Sequence, residues 1–254
     1  MLRLLIGCLP PMTSRKLIAW GMLREARAIP LLVRALGFSE DVDVRKAAKW
    51  ALVEIGEPAV LPLIDALLDP TRKWGWFVVD ALDRIGDPRA AAPCLQVLKD
   101  RSADEYARAG AAKALGRLKA AGAFDVLVSI LQDGYELETV RRGAATGLGL
   151  LGDQRAFVPL THMLSRGDAG MRWDVAAALG DLGDPRGVDL LIALLDDEYP
   201  QVCVNAAKAL GKIGDERALP ALRRLYERLR GGPWAMWAGE VAQAIKLIED
   251  RQQH

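Results

Sequence analysis

Val202-Cys-Val-Asn-Ala-Ala-Lys-Ala-Leu-Gly-Lys-Ile-Gly-Asp-Glu-Arg217 decides the fold, because the chain writes this stretch several times. Val140 to Arg155 and Met171 to Arg186 follow the same pattern. One position anchors the alignment: Trp20, Leu52, Leu82, Leu115, Leu148, Leu179 and Leu210, at intervals of 32, 30, 33, 33, 31 and 31 residues. A fixed period of this size is the signature of a stacked solenoid, in which each unit packs on its neighbours. The 51% apolar composition is enough for a continuous core of that kind.

Each unit reads as two helices. The first follows Gly-Asp-Pro-Arg or a variant: Gly86-Asp87-Pro88-Arg89, Gly183-Asp184-Pro185-Arg186 and Gly214-Asp215-Glu216-Arg217. Glycine ends the preceding helix where positive φ is cheap, aspartate caps the next one, and proline fits its first turn. The first helix closes on a leucine 16 residues after the anchor: Leu36, Leu68, Leu98, Leu131, Leu164 and Leu195. An acidic turn follows. The second helix then opens eight residues before the next anchor, at Val44, Trp74, Ala107, Val140, Met171 and Val202. Its Ala-Ala-x-Ala-Leu core (Ala206 to Leu210) makes a packing face. All variation in repeat length falls between the constant leucine and the second helix, an edge that repeat proteins often use for binding.

These residues resemble the HEAT-repeat family, in the short bacterial and archaeal type named after phycobilisome lyases. The resemblance covers Ser14 to Glu227 and rests on Val-Arg-x-x-Ala-Ala-x-Ala-Leu-Gly-x-Ile-Gly-Asp-Pro-Arg. It implies that the second helices line the concave surface, and that an arginine after the second-helix valine forms a ladder with the turn aspartates. That arginine is present as Arg45, Arg108, Arg141 and Arg172, and absent at Gly75 and Cys203, where the ladder should break. Gly231-Gly232-Pro233 interrupts the pattern, and Trp237 to Glu249 reads as one more second helix with Ile245 at the anchor. The expected architecture is an all-α, right-handed solenoid over 1–254: an N-terminal cap (1–13), seven two-helix repeats (14–230) and a C-terminal capping helix (231–254), with Trp234, Met236 and Trp237 as its cover.

Composition narrows the function. Thirty-four basic and 33 acidic residues leave a net charge of +1, which argues against non-specific nucleic-acid binding. Three cysteines (Cys8, Cys94, Cys203) lie far apart, with neither metal spacing nor a disulfide framework, so a cytoplasmic setting is expected. Leu5-Ile6-Gly7-Cys8 resembles a lipoprotein cleavage box, but seven preceding residues are too few for a signal peptide. No apolar run approaches the length of a membrane span. Of the two histidines, His254 is terminal and His162 lies on an outer helix, so no histidine-based metal site is expected, nor any cofactor. The deoxyhypusine hydroxylases, which share this repeat type and bind iron through His-Glu motifs, are therefore a poor match.

Helical spacing puts positions −5, −2 and +2 from the anchor on one face of the second helices. The stripe so defined includes Phe77, Asp80, Arg84, Lys113, Arg117, Asp174 and Lys208, with Gly110, Gly143, Thr146 and Ala177 as a small-residue floor. Trp50, Trp76, Tyr106, Arg142 and Trp173 stand on it or at its rim. The expected function is a non-catalytic scaffold that binds a protein or peptide in this groove, since tryptophan and arginine are enriched in interface hot spots. A packing role between repeats is the competing expectation for the tryptophans, and the assigned one for Trp74 and Trp237.

Two other functions have sequence support. Resemblance to phycobilisome lyase subunits implies a flat tetrapyrrole held by Arg84, Arg117 and Arg142. The HEAT-like alkylpurine DNA glycosylases carry a concave tryptophan four residues before a catalytic aspartate, and Trp76-Phe-Val-Val-Asp80 has that spacing, with Arg117 and Trp173 in place of their other site residues.

Overall fold

A computed structural model describes residues 14–39, 41–69, 75–165 and 167–252. Cys8, the expected N-terminal cap, Trp74 and His254 lie outside the described residues. The described chain is all-α. The outer, first-type helices are α2 (Ile29–Phe38), α4 (Val60–Leu68), α6 (Ala91–Lys99), α8 (Ala123–Gln132), α10 (Phe157–Leu164), α12 (Val188–Leu194) and α14 (Leu219–Arg230). The inner, second-type helices are α1 (Ser14–Met22), α3 (Val42–Ile55), α5 (Gly75–Ile85), α7 (Glu105–Arg117), α9 (Glu138–Leu151), α11 (Ala169–Leu182), α13 (Pro200–Ile213) and α15 (Ala238–Gln252). Counted from the anchors, these fifteen described helices are the seven expected pairs plus one final helix. They form two compact units, Met1–Ala114 and Leu115–His254, with the division inside α7.

The Gly-Asp-x-Arg signature acts as a small folding device. The glycine ends an inner helix with positive φ, as at Gly183 (φ 68) and Gly214 (φ 84). The aspartate then caps a one-turn 3₁₀ helix: the Arg89 amide donates to Asp87 Oδ1 at 2.9 Å, and Arg155, Arg186 and Arg217 repeat the bond with Asp153, Asp184 and Asp215. Each arginine also folds its guanidinium back onto the same carboxylate. The four carboxyls are held below their ordinary value by these bonds, Asp87 at about 2. The guanidinium then reaches one repeat back. Arg89 bonds Glu57 at 2.6 Å, Arg155 lies 4.1 Å over the Phe124 ring, Arg186 lies 4.4 Å over Phe157, and Arg217 meets Asp189 at 3.3 Å.

Inner helices meet along a second device. The residue after the anchor is glycine in α1, α7, α9, α11 and α13; in α7 it meets Gly147, and in the others it faces an alanine just before the next anchor. A methyl added to Gly149 would stand 2.5 Å from Ala178 Cα; at Gly180 it would stand 2.7 Å from Ala209 Cα, and at Gly211 2.9 Å from Ala244 Cα. The backbones touch, so no side chain fits between them. Ala244 in this role confirms Ile245 as the anchor of α15. The anchors Leu52, Leu82, Leu148, Leu179 and Leu210 are fully buried behind the seam, each contributing roughly 2 kcal/mol by area. Trp20 is half-buried in the same register.

Several expectations need correction. Of the constant leucines, Leu36, Leu98 and Leu131 are fully buried, but Leu68 is 41% exposed and α4 buries Val60, Leu63 and Ala66 instead. Arginines of the ladder also latch the ends of the outer helices, where carbonyls lack partners. Arg108 Nε donates to Leu98 O at 3.1 Å, and Arg141 Nε to Leu131 O at 3.2 Å. Arg172 reaches the next turn, bonding Asp197 at 2.7 Å. The ladder does not break at Cys203: Arg228, from α14, donates to Leu195 O and to Asp196 (2.7 Å), so a guanidinium from the other helix type fills the gap. At the C-terminus, Met236 is 74% exposed and Trp234 and Trp237 stack on each other at 5.3 Å, so the cover is Ala238, Val241, Ala244 and Ile248 of α15.

Candidate functional site

In the first unit the inner-helix face is closed by its own side chains. Phe77, expected on the exposed stripe, is 2% exposed. The turn of α5 directs its ring inward against Trp76, with ring centroids 3.8 Å apart, and beneath Arg45 at 5.4 Å. Lys49 Nζ of α3 sits 5.9 Å from the Trp76 and Phe77 rings alike and bonds Asp80 at 2.5 Å. Arg84 holds both oxygens of the same carboxylate at 3.2–3.3 Å. Burial raises the Asp80 carboxyl, but the bonds and charges of Lys49 and Arg84 outweigh it and hold Asp80 below its ordinary value. Asp80 is thus an ionised carboxylate already engaged by two cations. Trp50 is 37% exposed, its remaining ring packed so closely over Gly21 that a methyl there would stand 2.7 Å from Cζ3. Trp76 is 37% and Tyr106 60% exposed, and Lys113 is half-buried.

The second unit leaves space at the corresponding place. An open pocket of about 230 Å³ lies between α9 and α11, lined by Thr139, Arg142, Gly143, Thr146 and Asp174. Gly143 and Thr146 are two of the small floor residues expected from sequence. Arg142 Nε donates to Asp174 Oδ2 at 2.5 Å, and the guanidinium lies against the first turn of α11, where a methyl on Gly170 would come within 2.9 Å of Cζ. Thr146 Oγ1 donates to Arg142 O at 3.1 Å, one turn back on α9. Asp174 Oδ1 accepts no hydrogen bond among the described residues. Burial dominates over the Arg142 bond, and the Asp174 carboxyl lies above its ordinary value. Trp173, the preceding residue, is 44% exposed, and its carbonyl accepts from Asn205 Nδ2 at 2.8 Å. Arg117 is exposed on the last turn of α7.

The inner-helix stripe is thus largely a ladder between successive repeats. Lys49–Asp80 and Arg142–Asp174 are joined by Lys212–Asp181 at 2.6 Å and by Lys208–Glu240. Thr139 was missed by sequence reasoning. It stands nine residues before its anchor, one turn earlier than the positions considered. Among the described residues no cluster of His, Cys, Asp or Glu can hold a metal, and no helix is long and apolar enough to cross a membrane. Cys94 is buried, which pushes its thiol up to about 12, so it is not a nucleophile. His162 is exposed on α10.

HEAT repeats match the chain at residues 14–75, 62–138, 136–207 and 171–230. The chain belongs to the HEAT-repeat family. Among solved structures, it is similar to the complex of CpcE and CpcF of phycocyanin lyase from Nostoc sp. PCC7120, at 21% identity and a TM-score of 0.59 over 96% of this chain and 97% of that one. It is also similar to YibA of E. coli, at 16% identity and a TM-score of 0.52, over 89% and 83% of the two chains. These likenesses are of fold. No curated protein matches the chain in sequence.

Proposed function

We propose that the chain is a non-catalytic binding scaffold that docks a segment of another protein on the inner-helix face of its second unit. The observation that carries this reading is Trp173, 44% exposed on α11, the helix whose next residue, Asp174, lines the open pocket. Exposed tryptophans next to a concavity are the residues from which interface hot spots are made, and truncating one costs about 2 kcal/mol or more. The glycosylase reading loses support, because the Asp80 carboxylate that would stabilise positive charge at the sugar is already paired with Lys49 and Arg84. The bilin reading loses two of its three cations to carboxylates, Arg84 to Asp80 and Arg142 to Asp174.

The test is quantitative binding of a partner identified by affinity capture from the native organism and then purified. Trp173→Ala should weaken binding roughly 30-fold or more while helical content stays unchanged, the equivalent of about 2 kcal/mol. Substituting Arg34 on the outer helix α2 should change affinity little. Trp76→Ala tests whether the first unit contributes as well. Normal binding by the Trp173 variant, or its unfolding, would make this tryptophan a packing element and sink the proposal.

A further inference from the structure

The chemistry of the pocket says what kind of segment it takes. Asp174 offers one oxygen to Arg142 and leaves Oδ1 without a donor among the described residues, at the wall of an open cavity. Thr139 and Thr146 add hydroxyl oxygens, and Gly143 leaves the floor open. The sequence segments that lead into α9, α11 and α13 are acidic. Residues 133–142, 165–174 and 196–205, the turns and first helical residues of three successive repeats, carry eight carboxylates against four basic side chains. Arg141 pairs with Glu138, Arg172 with Asp197 and Arg228 of α14 with Asp196, so acidic charge remains in excess after these pairs are counted. A docked anion would face both this excess and the open Asp174 oxygen. A docked cation would meet complementary charge and an acceptor in Asp174 Oδ1.

We infer that the pocket between α9 and α11 receives a lysine or arginine side chain from a basic segment of the partner protein, its charged head at Asp174 Oδ1 and its stem along Thr139, Gly143 and Thr146. This rests on the protein-binding reading and adds the class of residue recognised. Burial that already strains the Asp174 carboxylate makes a second donor there favourable. Arg142 has the role of a positioning residue. Its single bond through Nε engages Asp174 Oδ2 and leaves Oδ1 for another donor. Gly170 permits that arrangement, since a methyl would displace the guanidinium.

The experiment uses the full chain and an array of 12-residue peptides, each with one fixed residue and the rest degenerate, followed by titration of the best fluorescein-labelled peptide. Peptides with fixed Lys or Arg should be selected, and replacing that residue by Gln should weaken binding about 10-fold or more. Asp174→Asn should cause a similar loss, and combining the two changes should add little, as for partners in one contact. Thr139→Arg, at the half-buried start of α9, should fill the pocket with the protein's own cation and abolish selection, with the circular dichroism spectrum unchanged. Selection of acidic or purely apolar peptides, or indifference of basic-peptide binding to Asp174→Asn and Thr139→Arg, overturns the inference and leaves the scaffold reading standing. Selection of no peptide at millimolar concentration, together with failure to find any partner, overturns both.

Discussion

The α3/α5 pair and the α9/α11 pair occupy corresponding places in the repeat, yet one is filled and the other open. In α9 the anchor is followed by Gly149, and the two backbones meet at Ala178. In α3 that position is Val53, a half-buried side chain in place of the glycine. Further along the same pair, Phe77, Trp76 and Lys49 interleave, and Asp80 is gripped by Lys49 and Arg84. Between α9 and α11 the equivalent of Phe77 is Asp174 and the floor is Gly143 and Thr146, so Arg142 makes one bond and a cavity remains. The two carboxylates report the difference directly: Asp80 is held below its ordinary value and Asp174 above it. A solenoid can thus vary its surface by a few side chains per repeat without altering the helices that carry them.

The largest expected effect concerns the seam. Gly149→Val should cost on the order of 3 kcal/mol or more, since the backbones of α9 and α11 must separate, and overpacking of this kind usually costs about 1–3 kcal/mol even where side chains alone give way. Val53→Gly, at the same repeat position, should cost only about 1 kcal/mol, near the helix-propensity difference. Thermal melts of the two variants would break the comparison if the costs were equal.

Next come the two carboxylates. Asp80→Asn at neutral pH should destabilise by about 1–3 kcal/mol, because it removes charged hydrogen bonds and leaves the half-buried Lys49 uncompensated. Asp174→Asn should be neutral or slightly stabilising, because its ionised form is the disfavoured one and an amide oxygen can still accept from Arg142. Denaturant unfolding curves of both variants check the opposite signs.

A smaller effect is expected at Arg228. Arg228→Met should cost about 1 kcal/mol by leaving the Leu195 carbonyl without its latch. An unchanged midpoint would mean that this guanidinium does not replace the arginine missing at Cys203.

Much of this was legible in the sequence, because repeats average out local noise. The Gly-Asp-x-Arg device uses residues whose chemistry is local, so caps, helix ends and the Ile245 register could be read directly. The open pocket lies where Gly143 and Thr146 predict room. Phe77 could not be placed, because its ring is covered by Trp76 and by Arg45 and Lys49 of α3, and helical spacing within α5 does not reveal partners on another helix. The capture of Asp80 by Lys49 spans 31 residues, and helical spacing within one helix does not reveal such a bond. Arg228 substituting for a residue at 203 is a tertiary replacement with no signal at the position itself.

The account also fixes a pH dependence. Asp87, Asp153, Asp184 and Asp215 have depressed folded-state values, so their contribution is present above the ordinary carboxylate value and is lost as pH falls through the folded one, about 2 for Asp87. Asp80 behaves likewise. Asp174, with a raised folded value, contributes in the opposite sense: its share is present at low pH and lost as pH rises through the folded value. Carboxyl ¹³Cγ shifts of aspartate-labelled protein, followed against pH and assigned with the Asp80→Asn and Asp174→Asn variants, measure both groups in one sample. The account predicts Asp80 titrating below the ordinary aspartate value of 3.8 and Asp174 above it. Coincident titrations, or the reverse order, would contradict the claim that one face is closed by its own cations and the other is open to a partner's.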